Sequence, residues 1–329
     1  RLQRAGALQV VDMGPMTGDE CRRLVARSLN TPESDDLVPR IVQAAAGNPF
    51  AAIELARCAT AGENGRLPGS AAEAITERLC DVPVESLALL PWVALSGDEI
   101  DVATIEALAV TAQVRTFPAL DGALDAGVLV LSGGGYRFRH DLVRQALIEQ
   151  VPPHRRLKMH RQIAAQLAET DAAPARTARH WLAGGSPRDA LPWLLAAARE
   201  ALRLSAFSDA LRHLEPVLSL TPDHAEALRL RAEALDAMGD SAALAAYRLA
   251  AEAAGEPGSH DLLAKAALAQ VKQGDPKGAL QALLNVRPTS VEGRLCEALA
   301  YSGAAALGVG DPAVGTAKSA VARRLALES

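Results

Sequence analysis

Three Gly-Asp pairs, Gly239-Asp240, Gly274-Asp275 and Gly310-Asp311, recur at intervals of 35 and 36 residues. Each closes one alanine-rich, helix-periodic stretch and opens another, as in Gly274-Asp275-Pro276-Lys277-Gly278-Ala279-Leu280. Ser205-Ala206-Phe207-Ser208-Asp209-Ala210-Leu211 stands about one period earlier. A helix–turn–helix unit of this length cannot bury its apolar face alone, so successive units must stack into an array. Everything after Pro152-Pro153 reads as helical in this way.

Composition agrees with close-packed helices. Of the 329 residues 49% are apolar but only 3% aromatic, leaving alanine, leucine and valine to do the packing. Alanine is the strongest helix former, and its small side chain lets helix axes approach. The length suffices for two or three domains. A formal net charge of −5 supplies no basic stripe of the kind that nucleic-acid binding requires. Cys21, Cys58, Cys80 and Cys296 are scattered without metal-ligand spacing and read as buried thiols in a reducing cytoplasm. No apolar run is long enough to span a membrane, and no signal peptide opens the chain. The start at Arg1-Leu2-Gln3, without Met, suggests an excised fragment.

Ahead of the array the pattern is mixed. Ala7–Asp12 is a short β-prone run, a remnant strand that needs a sheet to pair with. Helices are predicted over Thr17–Leu29, Asp35–Ala46 and Phe50–Cys58. Gly47 suits the left-handed position that ends a helix, Asn48 can cap the next one, and Pro49 fits its first turn. A Gly/Asn linker, Gly62 to Gly65, separates these from further helices at Ala71–Leu79, Val84–Leu95, Val102–Ala109 and Phe117–Asp125. Val128–Ser132 and Tyr136–His140 flank Gly133-Gly134-Gly135, a hairpin signal, and a closing helix runs from Asp141 to Glu149. Three helices, a hairpin and a helix describe a winged-helix domain.

Gly47-Asn48-Pro49-Phe50, followed some ninety residues later by Phe138-Arg139-His140-Asp141 and then by the helical array, resembles the regulatory half of the STAND signalling ATPases, in particular the large LuxR-type bacterial transcriptional regulators. The array itself resembles tetratricopeptide repeats, although the usual Trp and Tyr positions are mostly absent. The resemblance implies a mainly α fold with one remnant strand and one β-hairpin. Residues 1–13 would end the nucleotide-binding core, 14–62 form a helical lid, 63–152 a winged-helix domain and 153–329 the tetratricopeptide-like solenoid. It implies ATP or ADP with magnesium in the intact protein, and no nucleotide bound by this chain alone. Gly47 and Pro49 would belong to the lid element that packs near the adenine. His140 would touch the β-phosphate of ADP and latch a closed state, with Arg139 and Arg144 as charges at domain contacts. A protein or small-molecule inducer would bind the repeats and release the switch, with self-association as an outcome. DNA would be bound only through a region this chain lacks.

Each motif also has a bland reading. Gly47–Phe50 can be an ordinary helix junction, and His140 can cap its own helix or satisfy a nearby carbonyl. The helix in the DNA-recognition position carries Asp121 and Asp125 and no basic residue between Phe117 and Asp125, so direct base readout is disfavoured. Gly308-Val309-Gly310-Asp311-Pro312-Ala313 and Gly310–Gly315 with Lys318-Ser319 mimic nucleotide-binding loops, but no strand precedes them and no lysine follows the second glycine directly. His154 and His160 lack metal spacing, and His180-Trp181 reads as a buried amphipathic pair. The chain contains no phosphate-loop motif, so a plain helical-repeat scaffold for protein partners, or the equivalent part of a nucleotide cyclase, stays open.

Overall fold

The computed structural model describes residues 14–61, 79, 82–170, 172–256 and 258–328. The chain divides into two compact units between Gln166 and Leu167. The remnant strand at Ala7–Asp12, the Gly62–Gly65 linker and the helix expected at Ala71–Leu79, except Leu79 itself, lie outside the described residues.

The first unit opens with three helices, α1 (Gly18–Leu29), α2 (Leu37–Ala45) and α3 (Pro49–Ala61). Thr17 and Glu20 form a reciprocal capping box at the start of α1, each side chain satisfying a backbone N–H that the helix cannot. Cys21, Val25, Leu29, Val38, Ile41, Ala45, Ala52 and Leu55 form one core between the three helices. Burial of these apolar side chains is the main stabilising term for so small a bundle. Helix α2 begins at Leu37 rather than Asp35, because the Asp35 carboxylate accepts from the Leu37 N–H and holds a turn there.

A second module follows in the order α4 (Val84–Ser96), β1 (Glu99–Ile100), α5 (Val102–Ala112), α6 (Thr116–Asp125), β2 (Leu129–Ser132), β3 (Gly135–Phe138) and α7 (Asp141–Gln150). The helices fall within one to three residues of their expected ends. The sheet is antiparallel with order β1-β3-β2, and Leu129 pairs with Phe138 at its buried end. Gly133 and Gly134 both take positive φ, +54° and +92°, forming a two-residue hairpin turn. Strand β1 is a two-residue element that the sequence pattern leaves invisible. It approaches because Gly135 has no side chain: a Cβ there would lie 2.5 Å from the Ile100 carbonyl oxygen. Gly122 similarly lets α6 close on Ser86 of α4, whose hydroxyl donates to the Ala119 carbonyl at 2.7 Å. Helix α8 (Pro153–Ala168) follows.

The second unit is a helical solenoid of α9 (Pro174–Ala183), α10 (Pro187–Arg203), α11 (Phe207–Leu220), α12 (Ala225–Ala237), α13 (Ala243–Ala254), α14 (Gly258–Lys272), α15 (Pro276–Leu283), α16 (Val291–Ala306) and α17 (Pro312–Glu328). At Gly239 and Gly274 the glycine has positive φ and ends its helix with paired backbone bonds: Gly239 N–H to Asp236 O and Asp240 N–H to Leu235 O, both 2.9 Å, and the corresponding pair at Gly274. Asp275 then caps the following helix, accepting from the Gly278 N–H at 2.9 Å, whereas Asp240 holds the turn ahead of α13 by accepting from the Ala242 N–H at 2.8 Å. In the last unit the residue that performs the left-handed turn with both closing bonds is Gly308, not Gly310. Counted by this geometry, Ser205, Gly239, Gly274 and Gly308 stand 34, 35 and 34 residues apart, and Gly310 is a second positive-φ residue in a longer turn. Both nucleotide-loop mimics therefore begin in the turn between α16 and α17 and run into α17 itself. Lys318 is engaged there, donating to Glu297 at 2.6 Å and lying over the Tyr301 ring.

Candidate functional site

The junction of α2 and α3 is built from four residues with separate tasks. Ala46 and Gly47 both take left-handed backbone, φ 48° and 79°, a conformation that only glycine adopts without strain. A side chain on Gly47 would lie 2.9 Å from the Met16 carbonyl oxygen and from the Pro15 Cβ. The Met16 N–H donates to the Gly47 carbonyl at 2.9 Å. This junction thereby pins the segment that leads into α1. Asn48 caps α3, its side-chain oxygen accepting from the N–H groups of Phe50 (3.0 Å) and Ala51 (3.2 Å). Pro49 opens α3 with its ring exposed, where a missing N–H costs nothing.

The second motif lies at the end of the hairpin. Phe138 is buried at the end of β3, and the Arg139 N–H donates to the Val128 carbonyl at 3.0 Å, extending the hairpin by one residue. His140 then stands at the N-cap of α7 with extended backbone, and its side chain makes no capping hydrogen bond. The cap is left to its carbonyl, which accepts from Val143 at 3.1 Å.

These two motifs meet. The Phe50 ring stacks on the His140 imidazole, with centroids 3.9 Å apart and 28° between planes. Gly47 and Pro49, through the residue that follows them, are thus brought to the same corner as His140. The sequence motif alone assigns Phe50 no role. The available signal was that the chain has only four phenylalanines and places one directly after the helix-opening proline. Arg144, expected at a domain contact, works instead inside the sheet-bearing module. It pairs with Asp141 (2.8 Å) and Asp98 (3.2 Å) and donates to the Ala94 carbonyl at the end of α4 (3.3 Å).

The solenoid carries a second polar feature. Lys265 of α14, only 10% exposed, bonds Glu233 of α12 at 2.8 Å and Glu292 of α16 at 2.9 Å. Burial pulls its pKa down, but the two carboxylates outweigh that and leave it raised. Burial likewise raises the Cys296 thiol and the Tyr247 phenol, so neither is poised as a nucleophile. His180 is buried and Trp181 packs on the core of the first repeats. Among the described residues no group of three or more His, Cys, Asp or Glu could hold a metal ion. No described helix is long and apolar enough to cross a membrane.

No family model and no curated protein matches this chain. Among solved structures it is similar to the crystal structure of the signal transduction ATPase with numerous domains (STAND) protein with a tetratricopeptide repeat sensor, PH0952, from Pyrococcus horikoshii. The TM-score is 0.51 at 14% identity, over 91% of this chain and 45% of that one. At this identity the likeness is one of fold. The chain spans less than half the length of the protein it matches.

Proposed function

We propose that this chain is the regulatory and sensing portion of an ATP-dependent signalling switch of the STAND type, with a lid at 14–62, a winged-helix module at 63–152 and an inducer-sensing solenoid from 153 on. The observation that carries this reading is the Phe50–His140 stack, which joins the junction of α2 and α3 to the hairpin corner of the next module. A plain repeat scaffold has no use for either motif, still less for their contact. The 34-residue rhythm of the solenoid and the fold likeness to a STAND protein with a repeat sensor support the same reading.

The residues present suit the rim of a nucleotide site. Pro49 offers an exposed apolar face and His140 an imidazole whose N–H can donate to a phosphate oxygen. They do not suit the triphosphate cradle, which needs a run of backbone N–H groups with an adjacent lysine and lies, in this proposal, in a preceding core. Bound there, ADP would supply negative charge for His140 to hold. The lid and winged-helix modules would close around it, and inducer on the solenoid would favour the open form. A transcriptional output, as in the LuxR-type regulators, is the form of the switch that the motif order favours, in the cytoplasm and with DNA contacted by another region.

The test is output without inducer from the longer protein carrying the core. His140→Ala is expected to raise inducer-free reporter expression, since the closed state loses one of its contacts. Unchanged dependence on inducer would contradict the latch.

A further inference from the structure

A cavity of about 340 Å³ opens between α12, α14 and α16, the first helices of three successive repeats. Ala225 and Gly258, at the starts of α12 and α14, make the room; a Cβ on Gly258 would meet only the Ala254 side chain, at 3.9 Å. The wall carries both signs of charge: Arg229 and Lys265 against Glu226, Asp261 and Glu292. Asp261 is committed to the fold, accepting from the N–H groups of Thr289 (2.8 Å) and Ser290 (3.1 Å) at the start of α16. Two cations and two carboxylates are left.

Those four groups are held unequally, by one another and by neighbours behind the wall. Glu226 has its short partner in Arg199 of α10, at 2.8 Å, and keeps that partner whatever enters the cavity. Lys265 keeps a deep partner, Glu233, whose side chain is 23% exposed, and an outer partner, Glu292, whose side chain is 71% exposed. Arg229 is likewise held by Glu233 at 2.8 Å and more loosely by Glu226 at 3.7 Å. Exposed ion pairs contribute little, so the outer two can exchange partners at small cost. The inner bonds to Glu233 hold both cations in place while that happens. A volume near the lower end of small-molecule sites sets the size of what can enter.

We propose that this cavity is the ligand site of the solenoid, and that it takes a small zwitterion, a free amino acid or short peptide, with its carboxylate on Lys265 and Arg229 and its ammonium on Glu226 and Glu292. This rests on the reading of the solenoid as a sensor and gives that sensor a ligand class. A ligand with a single charge would satisfy one side of the wall and leave the other as it was. A zwitterion replaces both outer pairs at once, so each charge it loses to solvent is recovered in a bond.

Calorimetry with the 329-residue chain and Ala-Ala as probe tests this, alongside N-acetyl-Ala-Ala and Ala-Ala amide. The expected result is submillimolar binding of Ala-Ala that weakens at least tenfold when either end is blocked. Glu226→Gln should weaken Ala-Ala but leave the residual affinity of the N-acetylated probe unchanged, and Arg229→Gln should do the converse with the amide. Both side chains are partly exposed, and far-UV circular dichroism verifies that each variant folds. No heat at millimolar Ala-Ala, or equal binding of blocked and unblocked probes, overturns the proposal. Either outcome leaves the switch untouched, because that reading stands or falls on His140 in the longer protein.

Discussion

Phe50 and His140 stack ring on ring with centroids 3.9 Å apart, although ninety residues of chain separate them. One belongs to the first turn of α3 and the other stands at the N-cap position of α7, so the stack connects two successive modules. Replacing either ring by Ala in this chain should lower stability. The double replacement should cost less than the sum, with a coupling of about 0.5–1.5 kcal/mol, as measured for aromatic pairs in contact. Chemical denaturation of the four proteins in the cycle measures it, and strict additivity would mean that the rings touch without holding anything.

Gly135 is expected to be irreplaceable for a steric reason alone. A Cβ there meets the Ile100 carbonyl oxygen, which is backbone and cannot swing away. Gly135→Ala should destabilise the chain by about 1–3 kcal/mol, the range for overpacking a fitted contact. Gly14→Ala, where nothing lies within 4 Å, is the control and should change stability little. Thermal unfolding of both variants separates the two.

Much of the fold was legible because helices announce themselves locally. Thr17 ahead of α1, Asn48 before Pro49 and the Gly-Asp pairs at Gly239 and Gly274 each act within one turn of helix, and each stands where the spacing put it. What escaped depended on distance. Strand β1 exists because Gly135, thirty-five residues later, leaves space for it. The substitution of Gly308 for Gly310 as the helix-ending residue was hidden because both are glycines with positive φ, and only the backbone bonds distinguish them. For the candidate site, Gly47, Pro49 and His140 could be named from their motifs, whereas the Phe50 contact leaves no local pattern to read.

Ser205 is the one member of the turn series that is not glycine, and it takes φ 58° with an exposed side chain. A non-glycine residue pays for that conformation, and the side chain here returns nothing by packing. Ser205→Gly should therefore stabilise the chain by about 0.5–1 kcal/mol, the strain relieved being partly offset by the greater freedom of glycine in the unfolded chain. A rise in the denaturation midpoint is the expected result; a fall would mean that unfolded-state entropy outweighs the strain.

Asp275 links stability to pH. Its carboxylate accepts from the Gly278 N–H, capping α15, and from the Gln270 amide at 2.6 Å, and these bonds lower its pKa. A carboxylate whose folded pKa is depressed adds stability above its unfolded pKa, and that stability is lost as pH falls through the folded value. The melting temperature should drop as pH falls below about 4, the usual aspartate pKa, and on through the depressed folded value. Asp275→Asn keeps an acceptor for the cap but cannot titrate, so its acid-side slope should be shallower than that of the native chain. Parallel slopes would place the acid sensitivity elsewhere.

If His140 is a latch, as proposed, it must favour one nucleotide state over another. A ligand shifts a two-state switch only by its differential affinity, so the measurement is ADP and ATP affinity, side by side, in the longer protein with and without His140→Ala. Loss of one hydrogen bond to a charged phosphate, about 1.5–3 kcal/mol, should weaken ADP by roughly ten- to a hundredfold and ATP far less. Equal weakening of both nucleotides, or no change in either, would contradict the account.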